Sequence, residues 1–196
     1  MAEISLDRSK IALLMGDFYA EMMRTLPHAV ERKVLEKAQA VQKAARDAGI
    51  LVCYSATVFR PGYPEIGQRN KTFSQRKHSG QPAAADPVQL IHPSLKPAEG
   101  EIVVGKHRVN ALYGTGLDLV LRANDIETLI IMGYATSGVV LSTTRFAADL
   151  DYRLYVVEDC YSDPDPEVHD FLTKRILSRQ ADVVTSEELI RALRGP

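Results

Sequence analysis

The chain has no tryptophan, two cysteines in 196 residues and a formal net charge of only -1. Two cysteines, Cys53 and Cys160, are too few for a disulfide framework, and neither belongs to a CxxC pair. One bridge is the remaining alternative; a reduced, cytoplasmic protein is the expectation. A charge near zero creates no long-range field towards nucleic acid or anionic lipid, so neither partner class is expected. No apolar run approaches the roughly 20 residues that span a bilayer. The opening MAEISLDRSK carries acidic residues and no apolar h-region, unlike a secretory signal. The histidines, at 28, 78, 92, 107 and 169, are scattered without metal-ligand spacing and read as surface or capping residues. No metal and no cofactor is expected.

What is present is ordinary globular composition, with 45% hydrophobic and 25% charged residues. The length suits one domain over 1–196. Apolar runs of strand length alternate with longer amphipathic stretches. Strands are expected at Ile11–Met15, Ile50–Val58, Ile102–Val104, Thr128–Met132, Arg153–Val157 and Ala181–Val184. Helices are expected over Val30–Ala48, from Thr115 or Gly116 to a cap at Asn124, over Val139–Leu150 and Pro166–Leu177, and from Ser186 onward. Continuous apolar strands alternating with helices predict an α/β protein, Rossmann-like, with three α/β/α layers around a six-stranded parallel sheet. Residues 60–100 form a long loop rich in Pro, Gly, Gln and charge, of the kind that serves a function or an interface.

In such sheets ligands bind beyond the carboxyl ends of the strands, where strand order reverses. The residues at those ends are Asp17, Arg60, Lys106 and the Gly133–Gly138 segment. Taken singly, Asp17 reads equally well as a turn residue, and Lys106 as a solvated lysine.

Together the segments IALLMGDFYAEMM and IVVGKHRVNALYGTGLDLVLRANDIETLIIMGYATSGVVLSTTRFAADLDYRLYVVEDCYSD resemble the isochorismatase-like (cysteine hydrolase) superfamily, which includes nicotinamidases and amidohydrolases. The resemblance covers about residues 10–185 and implies strand order 3-2-1-4-5-6. It also implies a small-molecule substrate, a homo-oligomer (dimer or tetramer) and a catalytic pair made by Asp17 and Lys106. The family's cysteine belongs six residues after Gly133, and that position is Val139. The Tyr134–Ala135 bond falls where the family has a cis peptide. Tyr19 stands where many relatives have glutamine. The metal-binding cluster of the nicotinamidases is missing from the segment Ser55–Arg60.

Three readings follow. In the first, Asp17 and Lys106 hydrolyse a small molecule by acid–base chemistry without a cysteine, as isochorismatases cleave a vinyl ether by protonating it. In the second, a hydroxyl such as Ser137 is the nucleophile, with Asp17 as its base. In the third, the chain is a non-catalytic member that binds a small ligand or only assembles. Tyr19, Arg60, Arg69, Asn110, Tyr134, Thr136, Ser137 and Gly138 are candidate substrate-binding residues. With the expected strand order, Lys106 starts two strands, or roughly 10 Å, from Asp17. The pairing therefore requires its side chain to reach inward across the sheet.

Overall fold

Every strand among the described residues is parallel to its neighbours, and most strand residues are apolar because both faces of the sheet are covered. The computed structural model describes residues 6–20, 25–79 and 83–195. Residues 1–5 of the segment read for a signal, and residues 80–82 of the long loop, lie outside them. The strands are β1 (Ile11–Gly16), β2 (Leu51–Thr57), β3 (Ile102–Lys106), β4 (Thr128–Tyr134), β5 (Arg153–Ser162) and β6 (Asp182–Val184). They lie in the order β3-β2-β1-β4-β5-β6, as expected. Among the described residues the helices are α1 (Pro27–Glu31), α2 (Val34–Asp47), α3 (Lys71–His78), α4 (Pro87–Leu90), α5 (Leu117–Ala123), α6 (Leu141–Ala148), α7 (Pro166–Phe171) and α8 (Ser186–Arg194).

The period-2 alternation of β1 explains the three layers. Ile11, Leu13 and Met15 pack with Val34, Ala38 and Val41 of α2 and Leu189 and Leu193 of α8. Ala12 and Leu14 face the other way, against Leu117 and Leu121 of α5 and Ala147 of α6. Among the described residues no helix is long and apolar enough to cross a membrane.

Several boundaries differ from the expectation. The helix foreseen over Val30–Ala48 is split: Lys33 takes the left-handed conformation (φ 54°) between α1 and α2. Pro166–Leu177 begins as α7, then passes through a π turn (Leu172–Ile176) into a 3₁₀ turn. The long loop contains α3 and α4, which show no apolar stripe because none of their residues is fully buried. Most important, β5 runs on to Ser162, so Cys160 lies within this strand and not after it. Glu158 and Asp159 hid this extension. The Asp159 carboxylate is nevertheless buried, accepting from Ser186 N (2.7 Å) and Ser186 Oγ (2.8 Å) at the start of α8. The β4–β5 register also slips, from Ile131↔Val156 to Gly133↔Tyr161.

Candidate active site

Strand order reverses between β1 and β4, and Asp17 stands at the carboxyl end of β1 in that crevice. Its backbone is left-handed (φ 54°), a conformation that aspartate tolerates better than most residues. Its amide donates to Ser55 O (2.9 Å), which ties the turn to β2. Lys106 ends β3 directly opposite Thr57 in the β2–β3 register. Its side chain reaches inward across Thr57, and Nζ lies 2.7 Å from Asp17 Oδ2. The two side chains are 1% and 9% exposed, so Lys106 is not a solvated lysine.

The lysine ammonium has three protons to donate. One goes to Asp17, one to Thr57 Oγ1 (2.8 Å) and one to Arg108 O (3.1 Å). The other Asp17 oxygen, Oδ1, accepts from Tyr19 Oη at 2.5 Å and from Thr57 Oγ1 at 3.4 Å. Tyr19 Oη in turn accepts from Thr57 N (2.7 Å). Burial holds the Asp17 carboxyl above the usual carboxylate range, against the opposing pull of Lys106 and the hydrogen bonds from Lys106, Tyr19 and Thr57. A carboxyl in that state can exchange a proton under milder conditions than a free aspartate.

Facing Asp17 is the turn after β4. The Tyr134–Ala135 bond is cis, and Thr136–Val140 form a π turn that leads into α6. Val139 is 2% exposed and lies over Gly16, the residue before Asp17: a Cβ on Gly16 would come within 2.8 Å of Val139 Cγ2. Two methyl groups therefore stand at the helix entrance where a thiol would be activated. Neither cysteine replaces it. Burial pushes the Cys53 thiol up to about 12, and burial raises that of Cys160 well above its ordinary value.

The turn rests on a polar layer. Ser137 N donates to Asp163 Oδ2 (2.8 Å), and Thr136 Oγ1 bonds His169 Nδ1 (2.8 Å). His28 Nδ1 lies near Ser162 Oγ (3.0 Å) and Asp163 O (3.1 Å). His169 is 1% exposed, which corrects its reading as a surface histidine, and burial lowers its pKa to about 4.

Residues 11–188 match the isochorismatase domain family. The chain is 31% identical to the probable isochorismatase of Pseudomonas chlororaphis, over 97% of this chain and 89% of that protein. It is 27% identical to the maleamate amidohydrolase of Pseudomonas putida, over 94% and 87% respectively. Among solved structures it resembles an isochorismatase family protein from Burkholderia thailandensis with a TM-score of 0.82 and 25% identity, covering 97% of this chain and 98% of that one. This chain belongs to the isochorismatase family of hydrolases.

Within this isochorismatase-family site the candidate residues separate. Asp17, Lys106 and Tyr19 are in direct contact, and Val139 lies over the neighbouring Gly16. Ser137 is exposed, and the Asp17 side-chain contacts are Lys106, Tyr19 and Thr57 rather than Ser137. Thr136 is fully buried on His169, and Gly138 is half-buried beside Ala135 and Val109. Tyr134 is buried, and its hydroxyl has no hydrogen-bond partner among the described residues. Asn110 is occupied structurally: its amide donates to Ser142 O (2.8 Å), and its Oδ1 accepts from Leu112 N (2.7 Å) and Tyr113 N (2.8 Å). Arg60 projects into solvent and pairs with Glu65 at 2.8 Å, and Arg69 is exposed. The long loop reaches the site elsewhere, through a bridge between Ile91 and Tyr19 and a bond from His92 N to Phe18 O (2.7 Å).

Thr57 escaped the sequence reading. Placing the end of β2 at Val58 drew attention to Arg60, whereas the strand ends at Thr57, opposite Lys106. No group of three or more His, Cys, Asp or Glu side chains is gathered for a metal among the described residues.

Proposed function

We propose that this isochorismatase-family hydrolase acts on a small molecule by proton transfer at Asp17, with Lys106 as its electrostatic partner and no cysteine nucleophile. The observation that carries the reading is the buried 2.7 Å pair of Asp17 and Lys106 at the crevice where strand order reverses. Burial raises the proton affinity of Asp17, and Lys106 stabilises its ionised form, so the carboxyl is suited to give a proton and take it back. Water is then the nucleophile, since Val139 offers none. Relatives include a protein named as a probable isochorismatase, a maleamate amidohydrolase and an N-carbamoylsarcosine amidase, so amides, ureido compounds and vinyl ethers are the substrate classes to test.

The test is turnover of that panel by wild type and Asp17→Asn. Loss of about a hundredfold or more is expected on removing a proton-transfer group. Activity that survives Asp17→Asn overturns the reading, and loss of turnover in Ser137→Ala would make that hydroxyl the nucleophile instead. The non-catalytic reading is favoured by one observation, that all three donors of Lys106 are spent within the protein. Saturable ligand binding without turnover would establish it.

A further inference from the structure

Among the described residues Tyr19 is the aromatic side chain hydrogen-bonded to Asp17, and its phenol both donates and accepts. It donates to Asp17 Oδ1 at 2.5 Å and accepts from Thr57 N at 2.7 Å. A phenol so engaged has no remaining short contact to offer a substrate. Its effect falls on the carboxylate. Asp17 Oδ2 is held by Lys106, so without Tyr19 the other oxygen would keep, among the described residues, only the 3.4 Å contact to Thr57 Oγ1. Hydrogen bonds to an ionised acceptor are short and roughly twice as strong as neutral ones, and a 3.4 Å contact cannot replace one. The backbone N–H of Thr57, donating into the phenol oxygen, polarises the O–H towards Asp17.

The backbone of Tyr19 is also fixed. It forms the antiparallel bridge with Ile91, which is buried, while the preceding Phe18 O accepts from His92 N (2.7 Å). The long loop therefore seats Tyr19, and Tyr19 seats the carboxylate.

We propose that Tyr19 is a positioning residue that holds Asp17 as an oriented carboxylate, with Oδ1 on the phenol and Oδ2 on Lys106, and that the Ile91–His92 end of the long loop keeps it there. The role differs from that of a substrate contact, for which Tyr19 is a candidate in the sequence. Its consequence for catalysis rests on the proposed proton transfer at Asp17, whereas its effect on the carboxylate does not. Burial keeps the phenol protonated well beyond its ordinary range, so it remains a donor at working pH.

The experiment is a carbon-13 NMR titration of the Asp17 carboxyl, assigned by the signal lost in Asp17→Asn. It compares wild type, Tyr19→Phe and protein with 3-fluorotyrosine at position 19. Tyr19→Phe keeps the ring and removes the donor, so the Asp17 midpoint should rise by about half a unit or more. The fluorinated phenol is a stronger donor, so its midpoint should fall. Opposite shifts are what a merely structural tyrosine would not produce. Unchanged midpoints in both proteins, with amide spectra matching wild type, overturn the proposal. If Tyr19→Phe does not fold, the fluorotyrosine protein decides the matter, since it keeps both the ring and the hydroxyl: a lowered midpoint supports the proposal and an unchanged one overturns it. Turnover is read in parallel. Tyr19→Phe should lower kcat with little change in KM. Activity that persists in Asp17→Asn, alongside shifted midpoints, would refute proton transfer at Asp17 while leaving the positioning role in place.

Discussion

Asp17 and Lys106 are each expensive to bury and become tolerable only as a pair. Taking one partner away leaves a charge in a site where water does not reach it, which typically costs about 3 kcal/mol or more. Lys106→Met should therefore be strongly destabilising near neutral pH. The loss should lessen in mild acid, because Asp17, already raised by burial, can then neutralise itself by taking a proton. Adding Asp17→Asn to Lys106→Met should restore part of the lost stability. Urea unfolding of both single variants and the double variant measures this, and strictly additive losses would show that the two groups do not act as a pair. Of this cluster, the two charges were legible as strand-end residues of the right kinds. Their contact was not legible without strand order, and Thr57 was missed because a one-residue error in a strand end moves attention to the wrong side chain. Tyr19 was noticed, but nothing in its sequence position shows that its phenol turns inward to Asp17.

At the scale of elements, the site depends on β1 and the turn after β4 approaching closely. Gly133 has φ 152°, and a Cβ there would lie 2.2 Å from Gly16 O. Gly133→Ala should therefore be severely destabilising, since the obstacle is backbone and cannot move aside. Gly16 is different, because its obstacle is the Val139 side chain at 2.8 Å. Gly16→Ala should cost about 1–3 kcal/mol by overpacking, and Val139→Ala in the same chain should relieve most of it. A thermal or urea double-mutant cycle reads this coupling, and a coupling near zero would refute the packing of Val139 on Gly16. The long loop has its own anchor. Glu101 accepts from Arg46 through both oxygens (2.8 Å each), from Tyr54 Oη (2.9 Å) and from Ala98 N (2.7 Å). Burial raises the Glu101 carboxyl, but these bonds outweigh it and hold the pKa below the usual range. Glu101→Ala should lower the urea midpoint by an amount equivalent to about 1–3 kcal/mol, with an unchanged slope. An unaltered midpoint would show that the anchor contributes nothing. None of this was readable along the chain, because a polar loop fixed by scattered tertiary hydrogen bonds has no period.

For the whole molecule, the layers and strand order were legible because parallel strands covered on both faces read as unbroken apolar runs. Buried polar groups leave no such trace, since one distant partner suffices to satisfy each of them. His169 is the clearest case: it is 1% exposed, bonded to Thr136 Oγ1 (2.8 Å), and its ring centroid lies 5.3 Å from that of His28. Burial, with Arg32 and His28 adding to it, depresses its pKa from 6.5 to about 4. In the unfolded chain the ring protonates near 6.5, so between that value and about 4 the unfolded state binds more protons. Stability from this residue is thus fully present above the unfolded value and is lost as the pH falls, to a limit of about 3 kcal/mol. Between about pH 7 and about pH 5 the loss should be about 2 kcal/mol. His169→Gln cannot titrate, so its unfolding free energy should vary less over that interval than the wild-type value does. Urea unfolding of both proteins at the two pH values provides the comparison. Equal pH dependence would mean that His169 protonates in the folded protein as easily as in water, and that the layer beneath the Thr136–Val140 turn admits solvent.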